Sequence, residues 1–263
     1  MELGLAGRIA FVTGASRGIG QAIAGALAAE RVDLGLFGRD LARCKAFADE
    51  VQARHPGMRA HVVELDLADR AAIKPAIGQA VAALGGVDIL VNCAGGAYRG
   101  RIEEIPDEAW ENYFAVKPLG LIRMTRECLP YLRTSKHGRV INISGTRGRE
   151  PQGVQVMSGP INLGTLSITK AMANEFGKHG ITVNAICPGS TDTGRWSELV
   201  GIAARERGVS LSEAEKELVK DVPMGRVVKP QDVADLALFL ASDRAAMISG
   251  TAINVDGGRT RGI

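Results

Sequence analysis

Cysteine is sparse and scattered in this chain: Cys44, Cys93, Cys128 and Cys187 are the four present, and no two of them form a C-x-x-C pair. That spacing argues against a disulfide framework and against metal ligation, and predicts reduced thiols in a cytoplasmic protein. Charge of one sign is not concentrated either. With 32 Lys and Arg against 29 Asp and Glu the formal net charge is +3, and no block of five or six like charges occurs. Neither nucleic acid nor an anionic membrane surface is expected as a partner on that balance. No apolar run is long enough to span a bilayer. The opening MELGLAGRIAFVTG lacks the basic and continuously apolar regions of a signal peptide. Internal repeats, low-complexity tracts and Pro/Ser-rich linkers are also missing, so a single domain over residues 1–263 is expected. Aromatic residues make up only 4%, and of the three tyrosines, Tyr98, Tyr113 and Tyr131, none lies beyond residue 131.

What is present is an alternation. Short β-branched or apolar runs occur at 8–14, 33–38, 60–66, 88–94, 139–145, 182–189 and 252–258. Several are apolar on both faces, as strands are in a parallel sheet covered by helices on each side. Between them lie stretches such as IGQAIAGALAAE and QDVADLALFLAS, whose apolar residues recur at helical spacing. The pattern predicts an α/β, doubly wound, seven-stranded parallel sheet. One segment, about 190–229, has no strand. It carries two helical patterns, the second predicted to open on a Ser212 cap with Glu215 three residues on, and its position suits a substrate lid.

The first strand is followed by Thr13-Gly14-Ala15-Ser16-Arg17-Gly18-Ile19-Gly20. Gly14 permits a tight turn, Gly18 lets backbone approach a pyrophosphate, and Gly20 lets helix and strand pack closely. The helix that follows would face an anion with unpaired N–H groups. Further along stand Asp66-Leu67, Asn92-Cys93-Ala94-Gly95, Pro188-Gly189 with Thr193, and the ending GTAINVDGG at 250–258. Over nearly its whole length, the chain thereby resembles the short-chain dehydrogenase/reductase family.

That resemblance implies a Rossmann-type fold with a nicotinamide dinucleotide in the cleft. It implies that Gly14, Ser16, Arg17, Gly18, Ile19 and Gly20 cradle the pyrophosphate, and that Asp66 and Leu67 flank the adenine. Asn92, Ala94 and Gly95 would line the ribose side, and Pro188, Gly189 and Thr193 the nicotinamide end. NAD-preferring relatives carry an acidic residue at the end of the second strand. Here that strand ends Phe37-Gly38-Arg39, so no carboxylate stands there, and Arg17 and Arg39 flank the place where a 2′-phosphate would lie. NADP(H) is expected over NAD(H). Asp40 is read as the cap of the next helix. The resemblance also implies a homo-oligomer, dimer or tetramer, through long helices near 107–134 and 158–179 and the C-terminal strand.

The catalytic end departs from the family. There, a tyrosine exchanges the hydroxyl proton, a lysine four residues on lowers its pKa, a serine holds the carbonyl and an asparagine holds a water. Aligned on ITVNAICPG and SITKAMA, those positions fall on Ser158, Asn162, Gly145 and Lys117, in that order. With no tyrosine after residue 131, a Tyr-x-x-x-Lys pair cannot open the helix near 158. Ser144 and Thr146 adjoin the serine position and would serve only after a local slip. Substitute groups are Tyr98, just past the fourth strand, and Lys117, whose neighbour Pro118 should kink its helix and whose amine, if desolvated there, could act as a base. A snorkelling, structural Lys117 is the competing reading. Arg99, Arg101, Arg147 and Arg149 suggest a small-molecule substrate with an anionic group. Three functions remain open: an NADP(H)-dependent oxidoreductase with non-standard catalytic residues, for which ordinary ketones should turn over poorly; a non-redox enzyme for carbon–carbon cleavage, hydration or decarboxylation; and a silent cofactor-binding subunit of a hetero-oligomer.

Overall fold

The structure is a computed structural model and describes residues 2–96, 100–153 and 155–262. Seven strands, β1 (Ile9–Thr13), β2 (Asp33–Gly38), β3 (Ala60–Glu64), β4 (Ile89–Asn92), β5 (Arg139–Ile143), β6 (Thr182–Pro188) and β7 (Ala252–Val255), form one parallel sheet. Its order is β3-β2-β1-β4-β5-β6-β7, so the winding direction reverses between β1 and β4. A cleft opens at such a switch point, beyond the carboxyl ends of the strands. Every strand lies within its expected window; β2 fills its window completely, and the other six end earlier. At β7 the reason is visible: the Asp256 carboxylate accepts from the amides of Gly258 and Thr260, and Gly257 and Gly258 turn the chain at φ +66° and +82°.

Alternation within each strand feeds two cores. Ala10, Val12, Leu34, Leu36, Ile89, Val91 and Ile141 pack to one side, against α1 (Gly18–Ala29), α2 (Leu41–Arg54) and α9 (Pro230–Ala241). Phe11, Phe37, Leu90 and Val140 face the other side, against α3 (Arg70–Leu84), α5 (Gly120–Thr134) and α6 (Ser158–Phe176). Burial on both faces explains why the strands read as nearly continuous apolar runs. Asp40 caps α2 by accepting from the Arg43 amide, as its sequence predicts.

Two local features differ from expectation. In the segment after β6, α7 (Gly194–Arg207) is followed by α8 (Leu211–Val219), which opens on Ser210 rather than Ser212. Ser210 and Glu213 form the capping box, while Glu215 accepts from Trp196 Nε1 at 3.0 Å and so ties α8 to α7. Both serines precede a glutamate by three residues, and the tryptophan contact decides between them. Before α5, the helix α4 (Asp107–Phe114) runs into a π-helical turn, Ala115–Leu119, that contains Lys117 and Pro118. The proline has no N–H to continue the ladder, and the widened turn absorbs the loss.

At the amino ends of β1 and β5, Asp243 gathers Arg8 Nη2 at 2.7 Å, Arg139 Nη2 at 3.0 Å and His137 Nδ1 at 3.2 Å. Both arginine side chains are buried, so removing the carboxylate takes the counter-ion from two cations. The carboxylate itself is half exposed, and each arginine keeps a backbone carbonyl partner, so Asp243→Ala is expected to cost about 1–2 kcal/mol. Burial pushes the Asp243 carboxyl up, but the His137 and Arg8 bonds outweigh it and hold it below the usual range. Its folded pKa is thus depressed. Its contribution is present above about pH 4, the unfolded value, and is lost as pH falls through the folded one. Urea unfolding of wild type and Asp243→Ala should differ at neutral pH and converge in acid; equal midpoints at neutral pH would refute this.

Candidate active site

The turn after β1 is built so that no side chain could intrude. Gly14 has φ +70°, and a Cβ there would lie 2.9 Å from Ala94 Cα. A Cβ on Gly20 would lie 2.3 Å from the Gly14 carbonyl oxygen. Gly18, at φ +60°, sits beneath Thr193, whose Cγ2 would be 3.2 Å from an added Cβ. The loop after β6 therefore closes on the glycine turn. Thr13 Oγ joins β1 to β4 across the switch point by accepting from the amides of Cys93 and Ala94 at 3.0 and 3.1 Å. Arg17 precedes α1 in extended conformation and makes no side-chain cap. The first-turn amides of α1 thus face the cleft with the positive end of the helix dipole, beside backbone that a ligand can approach closely.

At the end of β2, a Cβ on Gly38 would lie 2.9 Å from Cys44 Sγ and 3.8 Å from Ser16 Cβ, so a carboxylate-bearing side chain would have to displace Cys44. Arg39 is exposed, and its guanidinium is 3.9 Å from Asp66. Asp66 also accepts from the Ala68 amide at 2.9 Å. Asn92 is not an open pocket residue by its side chain: its Nδ2 donates to Asn142 Oδ1 at 2.9 Å and to Thr125 Oγ at 3.3 Å. Leu67 is buried against Gly120. Gly189 donates its amide to Val255 and lies against Asp256.

Lys117 does not snorkel. Its side chain turns inward from the π-helical turn and is buried, with Nζ donating to the Ser144 carbonyl at 3.1 Å and to Asn162 Oδ1 at 2.7 Å. A Cβ on Gly95 would lie 3.2 Å from Lys117 Cδ, so the lysine forms the floor beneath the Asn92–Gly95 loop. Burial pulls the ammonium down to about 8, with Cys93 and Cys187 pulling the other way. Ser144 is committed elsewhere: its hydroxyl donates to the Asn162 carbonyl at 3.0 Å. Gly145 faces the same asparagine, whose Nδ2 would be 3.0 Å from an added Cβ. Thr146 is buried in a short turn of 3-10 helix after β5.

Ser158 opens α6 and is 1% exposed, yet its hydroxyl has no hydrogen bond of regular geometry among the described residues. Its polar neighbour is Tyr113 on α4. Burial pushes that phenol up to about 12, while Arg195 and the nearby Ser158 hydroxyl pull it down. Tyr113 packs with Ile105, Met157 and Ile161. Sequence reasoning passed over Tyr113 as a site residue. The available signal was its spacing: Tyr113-Phe-Ala-Val-Lys117 puts the two one helical turn apart.

Of the arginines expected to gather here, Arg99 lies outside the described residues, as does Tyr98. Arg149 is tied to the β7 backbone through the Ala252 carbonyl at 2.7 Å, and Arg147 Nε donates to Gln155 at 2.7 Å. Arg101 is exposed beside Glu104, which accepts from its amide. These bonds make an anion-binding cluster of them a poor reading. Arg195, at the start of α7, reaches the site from the other side: its Nη1 would be 3.3 Å from a Cβ on Gly96.

A family model described as enoyl-(acyl carrier protein) reductase matches residues 14–260. An acetoacetyl-CoA reductase from Rhizobium meliloti is 37% identical, over 96% of this chain and 98% of its own length. The structure of L-sorbose reductase from Gluconobacter frateurii, complexed with NADPH and L-sorbose, superposes with a TM-score of 0.96 at 28% identity, each chain covered completely. A short chain oxidoreductase from Pseudomonas aeruginosa PAO1, described as containing an atypical catalytic center, superposes with a TM-score of 0.91 at 30% identity, covering 98% of this chain and 99% of its own.

Proposed function

The chain belongs to the short-chain dehydrogenase/reductase family, and from that premise we propose that it is an NADP(H)-dependent oxidoreductase acting on a small carbonyl compound or the matching secondary alcohol. The observation that carries the reading is the cradle at Gly14–Gly20, where three glycines leave no room for a Cβ, or bring backbone into close approach, and α1 presents its amino end. Its geometry fits a pyrophosphate. The dinucleotide, when bound, supplies a hydride at its nicotinamide ring. The residues of this chain hold and orient it: Ser16, Arg17, Gly18, Ile19 and Gly20 at the phosphates, Asp66 and Leu67 at the adenine, backbone of Asn92, Ala94 and Gly95 beside the ribose, and Pro188, Gly189 and Thr193 at the nicotinamide end.

The preference for the phosphorylated dinucleotide rests on the end of β2. Gly38 bears no carboxylate to hydrogen-bond a ribose 2′-hydroxyl, and Arg39 is exposed, held only by a loose, solvent-screened ion pair with Asp66 at 3.9 Å. The similar L-sorbose reductase, complexed with NADPH, supports it. Arg39→Asp is expected to reverse the preference, weakening NADPH by about tenfold or more as a charge-assisted bond becomes a repulsion. Fluorescence titration with both cofactors tests this; an unchanged affinity ratio would remove the argument.

The substrate class is drawn from a 3-oxoacyl-type relative and from Arg195, which suits a carboxylate or phosphate on the substrate's distal end. The segment 190–229, carrying Arg195, is read as the substrate lid. The named catalytic center of the Pseudomonas structure is consistent with departures from the usual residues in this family. A homo-oligomer is the expected assembly. The decisive experiment is consumption of NADPH on a panel of 3-oxo thioesters, 3-oxo acids and neutral ketones. Turnover on any member supports an oxidoreductase. Tight cofactor binding without turnover throughout would favour the silent subunit, and no cofactor binding would defeat the proposal.

A further inference from the structure

Resting on the oxidoreductase reading, we propose that the proton for the reduced carbonyl comes from Tyr113 of α4, with Ser158 hydrogen-bonding the same oxygen and Lys117 keeping the positive charge beneath them. Two pairs of polar residues, each spaced by one helical turn, face each other here. Tyr113 and Lys117 lie on α4 and its π-helical extension; Ser158 and Asn162 lie on the first turns of α6. Lys117 meets Asn162 at 2.7 Å, and Tyr113 neighbours Ser158, so the two helices form a ladder with matching rungs. A tyrosine, a lysine, a serine and an asparagine side chain thus meet, buried, between α4 and α6. They are distributed between helices in exchange: α6 supplies the hydroxyl and the amide, and α4 the phenol and the ammonium.

Each residue's state favours this division of labour. Met157 and Ile161 bracket Ser158 along α6 and pack on the Tyr113 ring, which fixes the phenol laterally. Ser158 is buried with a hydroxyl that lacks a regular partner, a costly state unless a ligand oxygen completes it. An aliphatic alcohol is a far weaker acid than a phenol, so Ser158 orients the carbonyl and Tyr113 gives the proton. Lys117 already spends two N–H bonds on Ser144 and Asn162, which holds it as a fixed charge. In the reaction, a hydride carries two electrons from the reduced nicotinamide to the carbonyl carbon, and the carbonyl π pair takes the Tyr113 proton. The ketone is reduced, the dinucleotide is oxidised, and the phenolate recovers a proton from solvent. Arg195, close enough to act on Tyr113, stabilises that phenolate. At rest the phenol, near 12, keeps its proton until charge develops on the substrate oxygen.

The test is Tyr113→Phe, which keeps the ring and its packing. On a ketone that the wild type reduces, kcat should fall by about 10²-fold or more, with the NADPH Kd and melting temperature little changed. Tyr131→Phe on α5, as the control, should leave kcat near wild type. A readout independent of turnover is the phenolate absorbance lost in Tyr113→Phe: adding NADP+, whose ring is cationic, should shift that ionisation to lower pH. A Tyr113→Phe enzyme with nearly full kcat, or an ionisation indifferent to NADP+, overturns the tyrosine assignment while leaving the oxidoreductase reading intact. A wild type that binds NADPH and reduces nothing on the panel overturns both.

Discussion

Lys117→Met is expected to lower carbonyl reduction by about 10³-fold, since a preorganised charge in a dry site commonly contributes that much. The fold should survive. The apolar replacement has similar length and removes a buried cation, while Asn162 Oδ1 and the Ser144 carbonyl lose a donor; these effects oppose one another. In the wild type the ammonium is lost as pH rises through about 8, so kcat should decline above that value, and the same limb should be absent from the residual activity of Lys117→Met. Stability runs the other way. A folded pKa of about 8 against 10.5 means the unfolded chain holds the extra proton between those values, so wild-type stability gains on the variant as pH rises through that window. The full gain is about 3 kcal/mol. Steady-state kinetics and urea unfolding across this range check both halves. A Lys117→Met enzyme with near wild-type kcat would show that the ammonium is structural.

Gly20→Ala should weaken NADPH binding by about 10²-fold or more. Its Cβ would fall 2.3 Å from the Gly14 carbonyl oxygen and 2.8 Å from its carbon, and both atoms are backbone that cannot rotate away. Helix α1 must therefore shift from β1, taking its first amides off the phosphates. Losing two charge-assisted hydrogen bonds, each contributing about 1.5–3 kcal/mol, accounts for the effect. Gly78→Ala provides the contrast. Gly78 lies inside α3 with no heavy atom within 4 Å of its added Cβ, so the same methyl should stabilise the protein by about 0.5–1 kcal/mol. Cofactor titration and thermal melting of the two variants separate close approach from helix propensity. Equal cofactor affinity in Gly20→Ala and wild type would show that the turn does not bind phosphate by close approach.

Much of the fold can be read from short-range pattern. All seven strands were expected where they lie, because a strand buried on both faces shows as a run of Val, Ile, Leu and Ala that needs no partner to recognise. The glycine turn is equally local: Gly14, Gly18 and Gly20 act on their own backbone conformation and on the helix they begin. Strand ends and caps were less legible. Ser210 and Ser212 both satisfy the capping-box spacing, and only the contact between Glu215 and Trp196, nineteen residues apart, selects the first.

The catalytic end divides most sharply. The linear order of residues establishes that no tyrosine can open α6, that Gly38 carries no carboxylate, and that Lys117 precedes a proline. It also places Tyr113 one helical turn before Lys117. Spacing along a helix says which side chains share a face, but not which other helix that face will meet. That meeting is decided by the packing of Tyr113 on Met157 and Ile161 and by the inward turn of Lys117 onto Asn162, across 45 residues of chain. Those contacts exist only after β4, β5 and the helices between them have assembled. The charge state of Lys117 follows from the same burial, because desolvation depends on everything packed around the amine and on no single neighbour in sequence.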